Sequence, residues 1–169
     1  MINLSTNGVN GNIFKIFRLS DGSVTNVHIY DTAGEQKFRA LTNTYYRNAD
    51  CCLLVYDISN YQSFLDCKDY YIENIKEKCK KNIKVILLGN KADLENKRKV
   101  SSEEGASLAQ NNDYMFKEIS CAKNENVADA FETLIEITNL EKKKKNNTKE
   151  ESIKIDDDTK DENLKNRWC

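Results

Sequence analysis

Two apolar runs, Cys51 to Tyr56 and Ile83 to Leu88, constrain what this chain can fold into more than any other feature, and only Lys84 interrupts the second run. Neither run alternates apolar with polar residues, and a continuous apolar run is typical of a strand covered on both faces in a parallel sheet. Between them, residues Tyr61 to Lys81 carry apolar side chains near helical spacing. This alternation predicts an α/β fold, an open and mostly parallel sheet with helices on both faces.

The remaining predicted elements extend that alternation along the chain. Two strands separated by a turn with Asp and Gly predict an antiparallel hairpin, and a shorter strand follows later. Two more helices are indicated by an N-cap motif and by an apolar stripe. These elements are the strands Ile13 to Leu19, Val24 to Tyr30 and Tyr114 to Ile119, and the helices Ser102 to Gln110 and Asn126 to Leu140. Because ligands of such sheets bind beyond the carboxyl ends of the strands, the residues after each strand are the candidates for chemistry.

The distribution of charge divides the chain in two. Residues Glu141 to Asn166 are nearly all Lys, Glu, Asp and Asn, a composition too polar to bury a core. We therefore expect one folded domain over residues 1–140 and a disordered polar tail over residues 141–169.

Net charge and cysteine usage exclude several classes of protein. The formal net charge of -1 is unlike the basic excess of nucleic-acid-binding proteins, so no nucleic-acid partner is expected. Six cysteines without a C-x-x-C pair argue against zinc and against a disulfide framework, and they favour a reduced, cytoplasmic compartment. No apolar stretch approaches the roughly 20 residues that span a bilayer, and no signal-peptide pattern opens the chain. Membrane contact is then expected only through a lipid.

The first strand-end motif is Asp31-Thr32-Ala33-Gly34. A carboxylate at the end of a strand can hold Mg²⁺ directly or through water, and a glycine N–H at the next bend can approach a phosphate closely. The same four residues also fit an ordinary strand-to-loop turn, because Asp and Gly are common turn formers. Both interpretations stand on this motif alone.

The second and third motifs follow the later strands. In Asn90-Lys91-Ala92-Asp93, the Asp93 carboxylate can accept hydrogen bonds from N1 and N2 of guanine, and the Lys91 stem can lie along the base. Adenine would leave that charge unsatisfied. In Ser120-Cys121-Ala122-Lys123, the N–H of Ala122 can donate to guanine O6. Each motif alone also fits a charged or helix-starting loop, but three motifs in order at strand ends indicate a nucleotide site.

On these residues the chain, from about Ser5 to Leu140, resembles the Rab branch of the Ras-like small GTPases. The Asp31 motif is similar to the family's switch II signature, the Asn90 motif to its guanine-specificity motif, and the Ser120 motif to its last base-contacting loop. Three further segments indicate the Rab branch, namely Lys37 to Thr42, Tyr45 to Ala49 and Leu54 to Ile58. The resemblance implies the P-loop NTPase fold of the small GTPases.

The resemblance also implies a GTP/GDP-binding switch in intracellular vesicle trafficking, with Mg²⁺ as a cofactor. By position it implies metal contact by Thr6 and Asp31, and a role in hydrolysis for Glu35 and Gln36. The implied nucleotide-binding residues are Thr6, Asp31, Gly34, Asn90, Lys91, Asp93, Cys121, Ala122 and Lys123. The implied partners, beside the guanine nucleotide, are effectors, exchange proteins and activating proteins.

The end of the tail is the candidate membrane anchor. Rab proteins are typically prenylated on C-terminal cysteines that follow a polar tail, and Cys169 is the last residue here. A lipid on Cys169 would place the chain peripherally on the cytosolic face of endomembranes, and one lipid gives reversible binding. The alternative is an unmodified, exposed thiol.

The largest departure from the family is that the sequence contains no G-x-x-x-x-G-K-[ST]. In the family this phosphate cradle lies roughly twenty residues before the threonine that Thr6 resembles. We therefore expect a small-GTPase domain that lacks its first strand, P-loop and first helix, with nucleotide affinity weakened at least about 10³-fold. Because that strand lies in the middle of the family's sheet, we also expect a split sheet and a marginally stable or aggregation-prone chain.

Both switches depart from the family as well. Glu35 stands where the family has the glutamine that orients the attacking water. Since γ-phosphate oxygens repel a carboxylate, we expect slow hydrolysis unless Gln36 substitutes. Residues Thr6 to Asn10 match the family's switch I only in part. The alternatives to a GTP-hydrolysing switch are a nucleotide-free, Rab-like interaction protein and a non-functional truncated product.

Overall fold

The computed structural model describes residues 2–4, 13–31 and 45–145, and its strands form one six-stranded sheet in the order β2-β3-β1-β4-β5-β6. The strands are β1 (Ile2–Leu4), β2 (Ile13–Arg18), β3 (Val24–Ile29), β4 (Cys51–Asp57), β5 (Lys84–Asn90) and β6 (Met115–Glu118). The helices that follow β4 are α1 (Tyr61–Asp66), α2 (Ile72–Lys78), α3 (Ser102–Gln110) and α4 (127–145), and a short helical segment over residues 45–48 precedes β4. The predicted α/β architecture is confirmed, and each predicted strand and helix is found with its ends shifted by a few residues.

The parallel half of the sheet consists of β4, β5 and β6. Strands β4 and β5 pair in parallel from Cys51 opposite Lys84 to Asp57 opposite Asn90. Strand β6 continues the parallel pairing on the other side of β5. The carboxyl ends of β4, β5 and β6 therefore meet at one edge of the sheet.

Apolar side chains on both faces of this half explain why its strands lack an alternating pattern. One face packs against α1, α2 and α3 through the buried residues Cys52, Leu54, Tyr56, Phe64, Ile72, Ile75, Val85, Leu87 and Ala109. The other face packs against α4 through the buried residues Cys51, Ile86, Leu88, Ala130, Leu134 and Ile135. Burial on two faces fixes β5 in the centre of the core, where Ile86 and Leu87 are fully buried.

Strand β1 corrects the prediction that the sheet is split. Residues Ile2–Leu4 pair antiparallel with β3, and Ile2 also lies opposite Cys51 of β4. Backbone N–H and C=O groups at the inner edges of a split sheet would lack partners, and this short strand supplies some of them. The sheet is therefore continuous, although Ile2–Cys51 is the one β1–β4 pair in the described residues.

The first crossover helix is interrupted by a π-helical turn. Helix α1 begins after the N-cap Asn60, whose side chain accepts a hydrogen bond from the N–H of Gln62. The chain then passes through the π turn Cys67–Tyr71 and continues as α2. A π turn accommodates one extra residue without ending the helix. The predicted helix over 61–81 is thus confirmed to residue 78.

The start of α3 agrees with the sequence prediction, whereas the end of α4 lies beyond the predicted residue. Helix α3 has the predicted acidic N-terminus, with a capping box formed by Ser101 and Glu104. Helix α4 continues to residue 145, five residues past the predicted domain boundary at 140. Its last turn is held to the sheet by ion pairs from Lys142 to Asp50 and from Lys84 to Glu141.

No helix in residues 2–4, 13–31 and 45–145 combines the length and apolar character needed to cross a bilayer.

The hydroxyl of Tyr56 gives a test of this packing. Tyr56 is 2% exposed, and its Oη has no hydrogen-bond partner among the described residues. A buried unsatisfied hydroxyl destabilises a fold, so we expect Tyr56→Phe to raise the free energy of unfolding by about 1 kcal/mol in urea denaturation. A lower free energy of unfolding in Tyr56→Phe would contradict this description of the core.

Gly105→Ala is expected to have the opposite effect on stability. It should lower the free energy of unfolding by about 1 to 3 kcal/mol, because the added Cβ would overlap Tyr56 and the Phe116 ring.

Candidate functional site

The loops that follow β5 and β6 are joined by a hydrogen bond between two predicted site motifs. The Ser120 hydroxyl donates to Oδ1 of Asp93 over 2.6 Å, and Ser120 is fully buried. The same Oγ accepts a hydrogen bond from the N–H of Lys123 at 3.1 Å. Between the backbones, the N–H of Ala92 donates to the carbonyl of Ile119 at 3.0 Å. The structure therefore brings the second and third motifs into direct contact.

Asn90 fixes the same junction from the other side. Its Oδ1 accepts hydrogen bonds from the N–H of Lys91 at 2.7 Å and from the N–H of Cys121 at 3.2 Å. One side-chain oxygen thus serves amides on both loops. An apolar residue at this position would leave both N–H groups without this acceptor, so Asn90 has a structural reason to be an amide.

Lys91 adopts a backbone conformation that its neighbours must stabilise. Its φ of 66° and ψ of 36° lie in the left-handed region, which is unfavourable for a residue with a Cβ. The Lys91 Nζ lies 2.6 Å from Oδ2 of Asp57, at the end of β4. The other Asp57 oxygen accepts hydrogen bonds from the Ser59 N–H and hydroxyl at 2.8 and 2.7 Å. The Lys91 side chain is therefore anchored by Asp57, with its stem still half exposed.

Electrostatics favour the charged forms of this Lys91–Asp57 pair. Burial raises the pKa of Asp57, but the hydrogen bonds from Lys91 and Ser59 outweigh that effect, and the net pKa is below its usual value. The hydrogen bond to Asp57 raises the pKa of Lys91 above its usual value. Both groups stay ionised across the neutral pH range, so the contact that holds the Lys91 side chain persists there.

The unused hydrogen-bonding groups of the two loops point to a ligand with a polar edge. Among the described residues, Oδ2 of Asp93 accepts no hydrogen bond, and the N–H of Ala122 donates none. The neighbouring amides of Cys121 and Lys123 are both occupied. Cys121, Ala122 and Lys123 are exposed, while Asp93 is half-buried. The loops thus present one carboxylate oxygen and one N–H donor that no described residue uses.

Asp31 is not brought to this edge. Strands β3 and β4 run in the same direction, because both are antiparallel to β1. However, Ile2 lies opposite both Ile29 and Cys51, so the end of β3 is level with the beginning of β4. Asp31 then stops about four residues, or roughly 13 Å, short of the level of Asp57 and Asn90, and β3 is three strand positions from β5, roughly 14 Å away. Asp31 is therefore set back from the loops that carry Asp93, and the convergence of the two carboxylates on one nucleotide stays a prediction.

The other predicted residues of the phosphate end lie outside the described residues. These are Thr6, Gly34, Glu35 and Gln36, together with the candidate lipidation site Cys169. In the part of the chain that the structure describes, no group of three His, Cys, Asp or Glu side chains is arranged to hold a metal ion.

Sequence reasoning missed the groups that hold the base-end residues in place. Asp57 directly follows the apolar run Cys51 to Tyr56, but its partner Lys91 lies in the loop after another strand. Arg98 and Glu118 form an ion pair beside the site and belong to none of the motifs. Ser120 was part of a motif, yet its role as the link to Asp93 emerges only from the structure.

Comparison with known proteins agrees with the fold and the motifs. The family model described as "Ras family" matches residues 4–140. The chain is 39% identical over 153 residues to Ras-related protein Rab-8 of Diplobatis ommata, an alignment that covers 89% of this chain and 71% of that protein. It is 42% identical over 132 residues to Ras-related proteins Rab-8B of Homo sapiens and Rab-8A of Mus musculus, covering 78% of this chain and 62% of each relative. The chain thus matches less than two thirds of the length of these last two relatives.

The Ser120 hydroxyl gives a test of the junction. Ser120→Ala removes one donor to Asp93 and one acceptor from Lys123 in a buried position. We expect the free energy of unfolding to fall by about 1 to 3 kcal/mol in urea denaturation. Ser107→Ala, on the exposed face of α3, is the matched control and should change stability by less than about 0.5 kcal/mol. Equal effects of the two substitutions would show that the junction does not depend on this hydroxyl.

Proposed function

This chain belongs to the Ras family as a Rab-like member, and we propose that the loops after β5 and β6 bind the guanine base of GDP and GTP. The observation that carries the proposal is the Ser120–Asp93 hydrogen bond of 2.6 Å. It holds Oδ1 of Asp93 in place and leaves Oδ2 to accept from the base. The free N–H of Ala122 lies on the loop that begins with Ser120, where it supports donation to guanine O6.

Base selectivity follows from hydrogen-bonding chemistry. Guanine offers two donors, N1–H and N2–H, to the Asp93 carboxylate and one acceptor, O6, to the Ala122 N–H. Adenine offers an acceptor at N1 and a donor at N6, so both protein groups would face the wrong partner. A site whose polar groups are left unpaired by the competing ligand discriminates strongly against it. The exposed Lys91 stem supports packing along the base, since its amine is held by Asp57.

The phosphate end is the weak part of the proposed site. We assign Thr6, Asp31 and Gly34 to phosphate and Mg²⁺ contacts on the resemblance alone, and Cys121 and Lys123 to the rim of the base. Residues 1–169 contain no G-x-x-x-x-G-K-[ST] cradle, which in P-loop proteins supplies most of the phosphate contacts. Nucleotide binding by these residues is therefore proposed to be selective for guanine but weak.

Hydrolysis and membrane attachment are further parts of the proposal. Glu35 at the position of the water-orienting glutamine makes slow hydrolysis the expectation, with Gln36 as the nearest amide. The Rab-like character supports a switch in vesicle trafficking that binds effectors, exchange proteins and activating proteins. Prenylation of Cys169 would place the chain on the cytosolic face of endomembranes, where one lipid gives reversible attachment.

A second candidate function is a Rab-like interaction protein that acts without nucleotide. The position of β1 favours it. Residues Ile2–Leu4 fill the slot between β3 and β4 and close the sheet without a phosphate cradle. The resulting register sets Asp31 back from the strand ends that carry Asp57 and Asn90, which supports a fold that forms without nucleotide.

Titration of the purified chain with fluorescent GDP and ADP analogues separates these candidates. We expect a dissociation constant for GDP weaker than about 1 µM and a preference for GDP over ADP of about 10-fold or more. Asp93→Asn should abolish most of that preference, because an amide presents a donor to the guanine donors. Asp113→Asn changes the same groups in an exposed loop and should leave the preference unchanged.

Two outcomes of this titration contradict the proposal in different ways. Equal binding of GDP and ADP by the unmodified chain would refute guanine recognition and favour the nucleotide-free protein. A submicromolar dissociation constant for GDP would show that the phosphate end is complete in residues 1–169.

A further inference from the structure

Arg98 lies between the two loops of the proposed base site and contacts both. Its Nη1 and Nη2 donate to the two carboxylate oxygens of Glu118 at 2.6 and 3.0 Å. Its Nε lies 2.9 Å from both oxygens of Glu95, and Nη2 also donates to Glu95 at 2.7 Å. The Arg98 side chain is 18% exposed, and that of Glu118 is 22% exposed. The Arg98–Glu118 contact is therefore a partly buried, two-point ion pair.

Every nitrogen of the Arg98 guanidinium donates at least one hydrogen bond. Beyond the two carboxylates, Nη1 donates to the carbonyl of Val100 at 3.0 Å. Hydrogen bonds to Glu95 and Glu118 raise the pKa of Arg98 above its already high value. A planar fork of donors is needed to reach two carboxylates and a carbonyl at once, and a lysine ammonium lacks that geometry. Arg98→Lys therefore keeps the charge and removes the fork.

The chain positions of the two carboxylates define what Arg98 connects. Glu95 follows Asp93 by two residues in the short helical turn Ala92–Lys97. Glu118 precedes Ser120 by two residues at the end of β6. Arg98 thus bridges the same two segments that the Ser120–Asp93 hydrogen bond joins.

The segment that carries Arg98 is itself fixed to the sheet. The N–H groups of Lys99 and Val100 donate to the carbonyl of Ile58, just after β4, at 2.8 and 3.1 Å. On the other side, the Asn126 side chain donates to the carbonyl of Glu118 at 3.0 Å. Arg98 therefore links the loops through an anchored point and not through a mobile side chain on the surface.

We propose that Arg98 is a positioning residue for guanine recognition, because it fixes the distance between the Asp93 carboxylate and the backbone N–H groups of residues 121–123. Arg98 touches no proposed ligand atom; it acts through Glu95 and Glu118. This inference rests on the proposed function of the two loops. A purely structural ion pair would contribute to stability alone, whereas a positioning residue also controls loop order and base preference.

The first arm of the test needs no ligand. In the full chain, amide hydrogen exchange measured by NMR reports whether the hydrogen bonds of Cys121 and Lys123 remain closed. We expect Arg98→Lys to accelerate exchange at these two amides about 10-fold, the effect of weakening one hydrogen bond. Amides at the centre of β5, such as Leu87, should exchange at an unchanged rate.

The second arm measures base preference in the same variants. We expect Arg98→Lys to reduce the preference for GDP over ADP about 10-fold. Combined with Asp93→Asn, it should cause little further loss, because both changes act on one interaction. The matched control is Lys84→Met, which breaks the Lys84–Glu141 pair at the opposite end of β5 and should change neither exchange at residues 121–123 nor base preference.

The outcomes separate this inference from the proposed function. Unchanged exchange at Cys121 and Lys123 in Arg98→Lys, with reduced global stability, would show an ion pair without a positioning role. Faster exchange with the preference for GDP intact would also overturn the inference, since order in the loops would not govern recognition. If the unmodified chain shows no preference for GDP over ADP, the proposed function fails and this inference fails with it.

Discussion

The parallel pairing of β5 with β4 and β6 is the constraint on which the rest of the structure depends. It sets Asp57 opposite Asn90 and Gly89 opposite Glu118, so three chain segments turn away from the sheet at one edge. The loops then need few side-chain contacts to become ordered. Asn90, the Ser120–Asp93 hydrogen bond and the Lys91–Asp57 pair supply those contacts, and together they leave one carboxylate oxygen and one N–H for a ligand.

The two halves of the sheet have different relations to function. The parallel half is buried on both faces and ends in an ordered polar site. The hairpin half is joined to it by the three residues of β1, and the register of that strand sets the level of Asp31. Asp31 is set back from the strand ends that carry Asp57 and Asn90, so the ordered side-chain contacts described above belong to the proposed base end. This asymmetry accounts for both proposed functions, a guanine-selective site and a fold that closes without nucleotide.

Features of the fold and the candidate site that depend on neighbouring residues could be predicted from the sequence, and contacts between distant residues could not. Residues that lie next to one another in the chain signal the strands β4 and β5, the N-terminus of α3 and the motif that contains Asp93. The sequence does not signal that Ile2–Leu4 bridges the two halves of the sheet. Its partners in β3 and β4 lie far along the chain, and a three-residue strand is too short to show periodicity. The ion pairs of Arg98 with Glu118 and of Lys91 with Asp57 were missed for the same reason. Charged residues in loops usually face solvent, and only the fold shows which of them meet.

The central claim is that Asp93 and Ala122 form an ordered guanine-binding edge in this chain, independent of a phosphate cradle. Its most direct measurement is an NMR titration of the isotopically labelled chain with GMP and, separately, with AMP. We expect saturable shifts with GMP in the amides of residues 90–93 and 120–123, little change in β2 and β3, and much smaller shifts with AMP. Equal shifts with both nucleotides, or no shift in these two loops, would contradict it.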